Sequence, residues 1–498
     1  MEPISRRRAL QLGGLGLAGV LAGGLGLAWQ GSRGTRFDAA AGAELSEPSV
    51  LASSGGELAL ELTAAEGNLP VAGCRARVLG FNGGVPGPTL HVRPGDRLRV
   101  TLRNRLTEPT NLHLHGLHVS PAGNGDNPFL RIEPGQDFDY EYRLPDTHPP
   151  GMYWYHPHHH HLVADQIFGG LYGAVIVDDI DPVPVTRERV LVIADLTLDD
   201  AGRIAPASTM DRMLGREGNL VLVNGQLRPT MTAAPGTRER WRIVNACVSR
   251  YLRLRLDGQQ LRLLGLDSGR LTEPRPVEEI VLAGGNRADL LVSTTVGSAQ
   301  LLTLPVDRGT TGMMDMGMMD RGDRDDTSPP DGEATGTVLA TVEVAGAAAA
   351  QPAPVPPQPA PRDLRRETVA ATRTFTLGVG MGMGTGMGAG GMRFTIDGRE
   401  YDPDRTDHTV RVGTVEEWTL INDSPMEHSL HLHVWPMQLL RTGGREVTEI
   451  IWQDVVNIPA RNRVTVRVAF DDYPGRTVYH CHILDHEDLG MMGVIEAR

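Results

Sequence analysis

The chain has 498 residues, 40% of them hydrophobic and 5% aromatic, with 60 glycines and 35 prolines. That length allows about three domains, and the composition suits a soluble globular chain of many short strands and turns. The formal charge is −13 and all 48 basic residues are arginine. This argues against a nucleic-acid partner, which needs a basic patch. The arginine usage reads as coding bias, and the acidic balance as solubility with a weak preference for a cationic substrate.

At the N-terminus, "SRRRALQ" at Ser5–Gln11 matches the twin-arginine export pattern, and an uncharged Leu/Gly/Ala stretch follows from Leu12 to Ala28. A glycine-rich stretch of that length is marginal for spanning a bilayer. Small residues at Ala39–Ala43 suit a cleavage site. Residues 1–45 are therefore set aside as signal peptide and leader. The mature protein is expected to be periplasmic or extracellular, exported folded by the twin-arginine machinery, and monomeric.

Beyond residue 50 the pattern is short alternating runs, such as "DRLRVTLRNRL", "RERVLVIADLTL", "RERWRIVNA" and "RVTVRVAF", bounded by Gly, Pro, Asp or Asn. Alternation over such lengths predicts half-buried strands, and many of them at close spacing predict an all-β chain of Greek-key β-sandwiches. Three stretches share one rhythm of glycine turn, strand, turn and strand ending in Asn: "FNGGVPGPTLHVRPGDRLRVTLRN", "VNGQLRPTMTAAPGTRERWRIVNA" and "IDGREYDPDRTDHTVRVGTVEEWTLIND". Three copies of one unit explain them. The expected domains are 55–180, 185–345 and 363–498, with the Pro/Ala-rich segment 347–362 as an extended linker. Cys74 and Cys247 could pair in an oxidising compartment or stay buried thiols.

Four histidine motifs carry the chemistry. "NLHLHG" holds His113 and His115, "WYHPH" holds His156 and His158, "HSLHLH" holds His428, His431 and His433, and "YHCHILDHEDLGM" holds His480, Cys481, His482, His486 and Met491. On a strand a His-x-His pair puts both imidazoles on one face. In His480-Cys481-His482 the thiol then faces one way and the two rings the other. Four pairs make eight imidazoles, enough for three copper ions. His428, Cys481, His486 and Met491 remain, a two-His, one-Cys, weak-Met set that suits a blue-copper electron-transfer site. The first and third domains each give four of the eight imidazoles, so the cluster is expected between them. The second motif runs on as "HPHHHH", so the pair His158 and His160 is an alternative register that keeps the same strand face.

With these motifs in this order, nearly everything after residue 55 resembles the multicopper oxidases, the family of laccases and copper efflux oxidases. The resemblance implies three cupredoxin-like domains and four coppers per chain. Type 1 copper would take His428, Cys481, His486 and axial Met491. Type 2 copper would take His113 and His431. The type 3 pair would take His115, His156, His158, His433, His480 and His482. It also implies one-electron oxidation of a reducing substrate coupled to four-electron reduction of O2 to water. Acidic residues that relay protons in the family match Asp126 and Glu487 here. Asp454 is expected to support the type 1 site from behind its ligands.

The substrate is read from methionines. Met313, Met314, Met316, Met318 and Met319 form one run, and Met381, Met383, Met387 and Met392 another. Soft thioethers suit Cu(I). Copper efflux oxidases carry such segments near the type 1 site, with Met and acidic residues just before its first histidine. Asp423 and Met426 stand there, beside Glu427. Cu(I) is therefore the favoured substrate, with laccase-like activity on phenols. A broad laccase for phenols and aryl amines is the second reading, and a copper-buffering protein without turnover the third.

Overall fold

The computed structural model describes residues 39–309, 336–381 and 392–498. It is an all-β structure of three two-sheet sandwiches. The first packs the sheet of Val50–Ala52, Thr89–Val92, Gly173–Val177, Gly151–His156 and His113–His115 on that of Cys74–Phe81, Glu57–Val71, Arg97–Arg105 and Asp137–Arg143. The middle sandwich packs a seven-stranded on a five-stranded sheet, and the third a six-stranded on a five-stranded sheet. Among the described residues no helix is long and apolar enough to cross a membrane.

The threefold rhythm of the sequence has a structural cause. Asn82-Gly83, Asn224-Gly225 and Asp397-Gly398 each place two successive residues at positive φ (51°/73°, 51°/75° and 54°/73°), as a tight hairpin turn of the primed type demands. In each turn the first side chain accepts a backbone N–H from the neighbouring strand: Thr63 at 2.7 Å, Val192 at 2.8 Å and Thr376 at 2.7 Å. The strand-ending asparagines recur as well. Asn104, Asn245 and Asn422 each accept the N–H of residue i+2 (Leu106, Cys247, Ser424) and donate to carbonyls of the following loop and of a facing segment. One buried amide thus closes the same loop in every sandwich. The middle and third sandwiches also repeat a buried triad, in which Glu239 and Glu416 each receive an arginine (Arg189, Arg373) and an indole N–H (Trp241, Trp418).

Each sandwich has its own core, and a further cluster crosses between them. Trp154, Ile176 and Phe168 of the first sandwich pack with Val190, Leu222 and Val244 of the middle one and with Leu484 of the third. This junction brings the four histidine motifs to one place. Residues 39–45, assigned with the leader from sequence, belong to the folded body. Ala40 N donates to Ala72 O at 2.7 Å, Leu45 N donates to Thr230 O at 2.9 Å, and Leu45 packs on the middle core. Residues 1–38, with the twin-arginine pattern, lie outside the described residues. Segment 347–362 runs along the middle sandwich, held where Ala349 N donates to Pro235 O and Gln358 N to Thr272 O, with Val355 against Val183 and Leu291.

Asn245 makes three side-chain bonds, two of them buried, and removing it leaves their partners unsatisfied. Asn245→Ala is expected to lower stability by about 2–3 kcal/mol, read as a lower urea midpoint; an unchanged midpoint would contradict this role for the loop asparagines.

Candidate metal centre

The strand His113–His115 pairs antiparallel with Gly151–His156, His113 opposite His156. In the third sandwich His428–Leu432 pairs with Gly475–Cys481, His431 opposite His480. The pleat turns Leu114, Leu432 and Cys481 into the cores of their own sandwiches and their histidine neighbours outward. The two pairs of strands face each other, so eight imidazoles meet: His113, His115, His156, His158, His431, His433, His480 and His482, none more than 2% exposed. Rings from the two ends of the chain stack, His113 on His433 and His115 on His431, each at 3.8 Å. His158 Nε2 lies 3.1 Å from His480 Nε2. The run His156–His161 uses its first register. His159 lies by Arg131 and His160 against His161 and Tyr401, both outside the nest.

Most rings spend one nitrogen on an acceptor. His113 Nδ1 lies 2.9 Å from Asp126 Oδ2, His156 Nδ1 donates to Pro157 O at 2.8 Å, His431 Nδ1 to Asp454 O at 2.8 Å and His480 Nδ1 to Cys481 O at 3.0 Å. Their second nitrogens face other imidazoles or nothing: His156 Nε2 lies 3.4 Å from His115 Nδ1 and His480 Nε2 faces His158. His113 Nε2 and His431 Nε2, and both nitrogens of His482, are buried with no hydrogen-bond partner. Buried polar atoms are ordinarily paired. A convergent set of unpaired, neutral imidazole nitrogens fits copper, which such ligands suit. Groups close enough to share one ion include His113/His431/His433 and His158/His433/His480.

Behind the strand, Cys481 Sγ lies 3.4 Å from His428 Nδ1 and 4.0 Å from His486 Nδ1, and those nitrogens are 3.4 Å apart. All three residues are fully buried, as is Met491 in the same apolar cluster. Ile483 N donates to Sγ at 3.4 Å. Phe394 stacks on the His486 ring at 4.2 Å, and His486 Nε2 donates to Met213 O at 3.1 Å. Burial pushes the Cys481 thiol up to about 12, so the proton leaves when a cation takes its place. A sulfur with two imidazole nitrogens fits the trigonal blue-copper set.

The carboxylates are placed as follows. Asp126 is buried on His113 and also accepts the Leu114 N–H at 3.0 Å; burial, partly opposed by that bond, raises it to about 7. Glu487 has one oxygen 3.4 Å from His480 Nδ1 and the other 3.6 Å from His158 Nε2. Neither oxygen has a hydrogen-bond partner. Burial first, then Asp488, holds its pKa well above the usual carboxylate range. Asp454 corrects the sequence reading: it sits on the eight-ring nest, with Oδ1 3.1 Å from His115 Nε2, and not behind Cys481. It directly precedes the strand Val455–Ile458, whose first residue pairs with His431.

The methionine sites divide. Met313, Met314, Met316, Met318, Met319, Met383 and Met387 lie outside the described residues. Met392 is half-buried against the core that holds Cys481 and pairs in register with Met381. Met426 is wholly buried in that core while Asp423 is exposed, so these two do not form the joint site expected ahead of His428. Sequence reasoning also missed Arg287 and Asp267, buried beside Asp454.

Burial holds His156 and His428 down to about 3 and His480 to about 4, from 6.5. A group with a depressed folded pKa contributes stability that is present above its unfolded pKa and lost as pH falls toward the folded value. The copper-free protein is therefore expected to lose thermal stability between pH 6.5 and about 4, by about 1.4 kcal/mol per pH unit for each such ring. A melting midpoint flat over that window would contradict the neutral-nest account.

Three multicopper oxidase family models match the chain, at residues 63–182, 187–300 and 372–498. A multicopper oxidase of Staphylococcus aureus is 26% identical over 433 residues, 84% of each chain. A laccase of Bacillus subtilis is 26% identical over 480 residues, covering 84% of this chain and 89% of its own. Among solved structures, a multicopper oxidase from Campylobacter jejuni described as a metallo-oxidase superposes with a TM-score of 0.79 at 29% identity, over 92% of this chain and 95% of that one. With the four motifs gathered as the family requires and its models matched along all three sandwiches, this chain belongs to the multicopper oxidases.

Proposed function

We propose that the protein is a cuprous oxidase with laccase-like activity on phenols, passing electrons singly from the Cys481 site to the eight-histidine nest, where O2 is reduced to water. In this reading His428, Cys481, His486 and Met491 hold type 1 copper. His113 and His431 hold type 2, and His115, His156, His158, His433, His480 and His482 hold the type 3 pair. The four coppers supply one-electron redox chemistry when bound. The chain supplies the rest. Cys481 shares peptide bonds with His480 and His482, which gives a short covalent path between the two sites. Glu487, buried beside His158 and His480, and Asp126, buried beside His113, hold protons for O2 reduction. Core packing around His428, Cys481 and His486 excludes water and keeps the ligand geometry fixed.

One observation carries the choice of Cu(I). The described residues that flank both methionine-rich segments lie beside the Cys481 site. Residues 310–335 begin just after Arg308, whose carbonyl accepts the Glu427 N–H at 2.7 Å, and Gly309 packs on Pro425 and Met426, immediately before His428. Residues 382–391 join the paired strands Val369–Met381 and Met392–Ile396, and Phe394 of the second strand covers His486. Soft thioethers tethered there suit Cu(I) delivery. The Campylobacter jejuni neighbour's description as a metallo-oxidase agrees. A laccase among the relatives supports the phenol reading. The twin-arginine pattern supports export of the folded enzyme.

Oxygen uptake with Cu(I) and with a phenol tests the assignment. Replacing Met313, Met314, Met316, Met318, Met319, Met383 and Met387 with serine is expected to lower kcat/KM for Cu(I) about tenfold or more and to spare phenol turnover. Equal loss on both substrates, or none on Cu(I), favours the broad laccase.

A further inference from the structure

The middle sandwich supplies none of the histidine or cysteine side chains of either site, yet it sends a buried charge into the nest. Arg287 Nη1 and Nη2 donate to Asp454 Oδ1 and Oδ2 at 2.5 and 2.6 Å, and its Nε donates to Met152 O at 3.0 Å. Asp267, also of the middle sandwich, accepts the backbone N–H of Arg287 at 2.9 Å and of Asp454 at 3.1 Å. The pair is therefore fixed from both ends. Glycine lets the elements close: a Cβ on Gly116 would meet Arg287 Nη2 at 2.4 Å, and one on Gly285 would meet His482 Nε2 at 2.7 Å.

Asp454 then handles two rings in opposite ways. Its carboxylate takes the N–H of His115 Nε2, and its backbone carbonyl takes that of His431 Nδ1. The two rings are stacked, 9° from parallel. The bare nitrogen is consequently Nδ1 in His115, facing His156 Nε2 at 3.4 Å, and Nε2 in His431, which has no partner. A single residue sets opposite tautomers in adjacent rings, and so aims them at different points of the nest. A carboxylate held on one edge by a planar fork keeps its orientation; an unpaired one in a dry site rotates or takes a proton.

We propose that Arg287 is a positioning residue of the copper nest: by locking the Asp454 carboxylate it selects Nδ1 of His115 as the metal-facing nitrogen, so the ligand-free middle sandwich governs how tightly the nest holds copper. This rests on the copper reading of the nest. Lysine keeps the charge but lacks the two-point fork, so Arg287→Lys separates orientation from charge, and Arg287→Gln removes both.

The test loads wild type, Arg287→Lys and Arg287→Gln with copper, titrates each with a copper chelator, counts retained copper by elemental analysis, and follows the Cys481 site by its blue absorption. Both variants are expected to release nest copper about 10- to 100-fold more readily, while blue absorption per chain stays at the wild-type level. Wild-type retention in either variant overturns the proposal, as does parallel loss of nest copper and blue colour, which marks general destabilisation. Should Arg287→Gln fail to fold, Arg287→Lys decides alone. Wild type that binds no copper in the nest overturns the copper reading as well, whereas loaded wild type with unaffected variants overturns the Arg287 assignment only.

Discussion

The molecule depends on the pleat of one strand, Gly475–Cys481. Because neighbouring side chains leave a strand on opposite faces, the Cys481 sulfur enters the apolar core of the third sandwich while His480 faces the other way. A helix at this point would have spread the three side chains around a cylinder. The strand instead builds two separate ligand sets back to back and joins them through the backbone. The remainder of the fold serves that arrangement: the first sandwich brings a second pair of strands with the same alternation, and the shared apolar junction presses the two pairs together.

Electrostatics explains why the nest is both costly and useful. Eight rings are taken out of water, and their burial and mutual repulsion keep them neutral. Several nitrogens gain no partner in return, an expense a folded chain ordinarily avoids. Neutral, unpaired imidazoles are what a metal needs, so binding offsets the desolvation and binding free energy becomes folding free energy. The flanking acids behave oppositely. Asp126 and Glu487 are buried, and burial raises the pKa of both carboxyls. The bidentate pair of Arg287 and Asp454 is brought against the rings and is braced by three sandwiches at once.

Much of this was legible in the amino-acid sequence because it rests on local periodicity. His-x-His spacing, the thiol between His480 and His482, and the thrice-repeated glycine turn and terminal asparagine are all properties of strands and turns, and each appears in the structure where alternation and φ preference put it. Asp454 was misjudged because its neighbours are set by how sandwiches dock. Val456 and Ile458 of the strand that follows it pack in the core with Cys481, and only the tertiary arrangement shows that the Asp454 carboxylate turns to His115. Arg287 left one signal, a charge opening the apolar strand "RADLLVS", and nothing local to name its partner, which is 167 residues away. Met426 and Asp423 are near in sequence yet diverge, since the closing loop held by Asn422 folds one inward and leaves the other in solvent.

The most direct measurement of the central claim is copper content and absorption of a Cys481→Ser protein beside the wild type. If the sulfur serves one site and its two neighbours serve the other, the variant loses the blue band and one copper per chain while the histidine nest stays loaded. A variant that remains blue, or one that empties both sites together, would contradict the back-to-back arrangement.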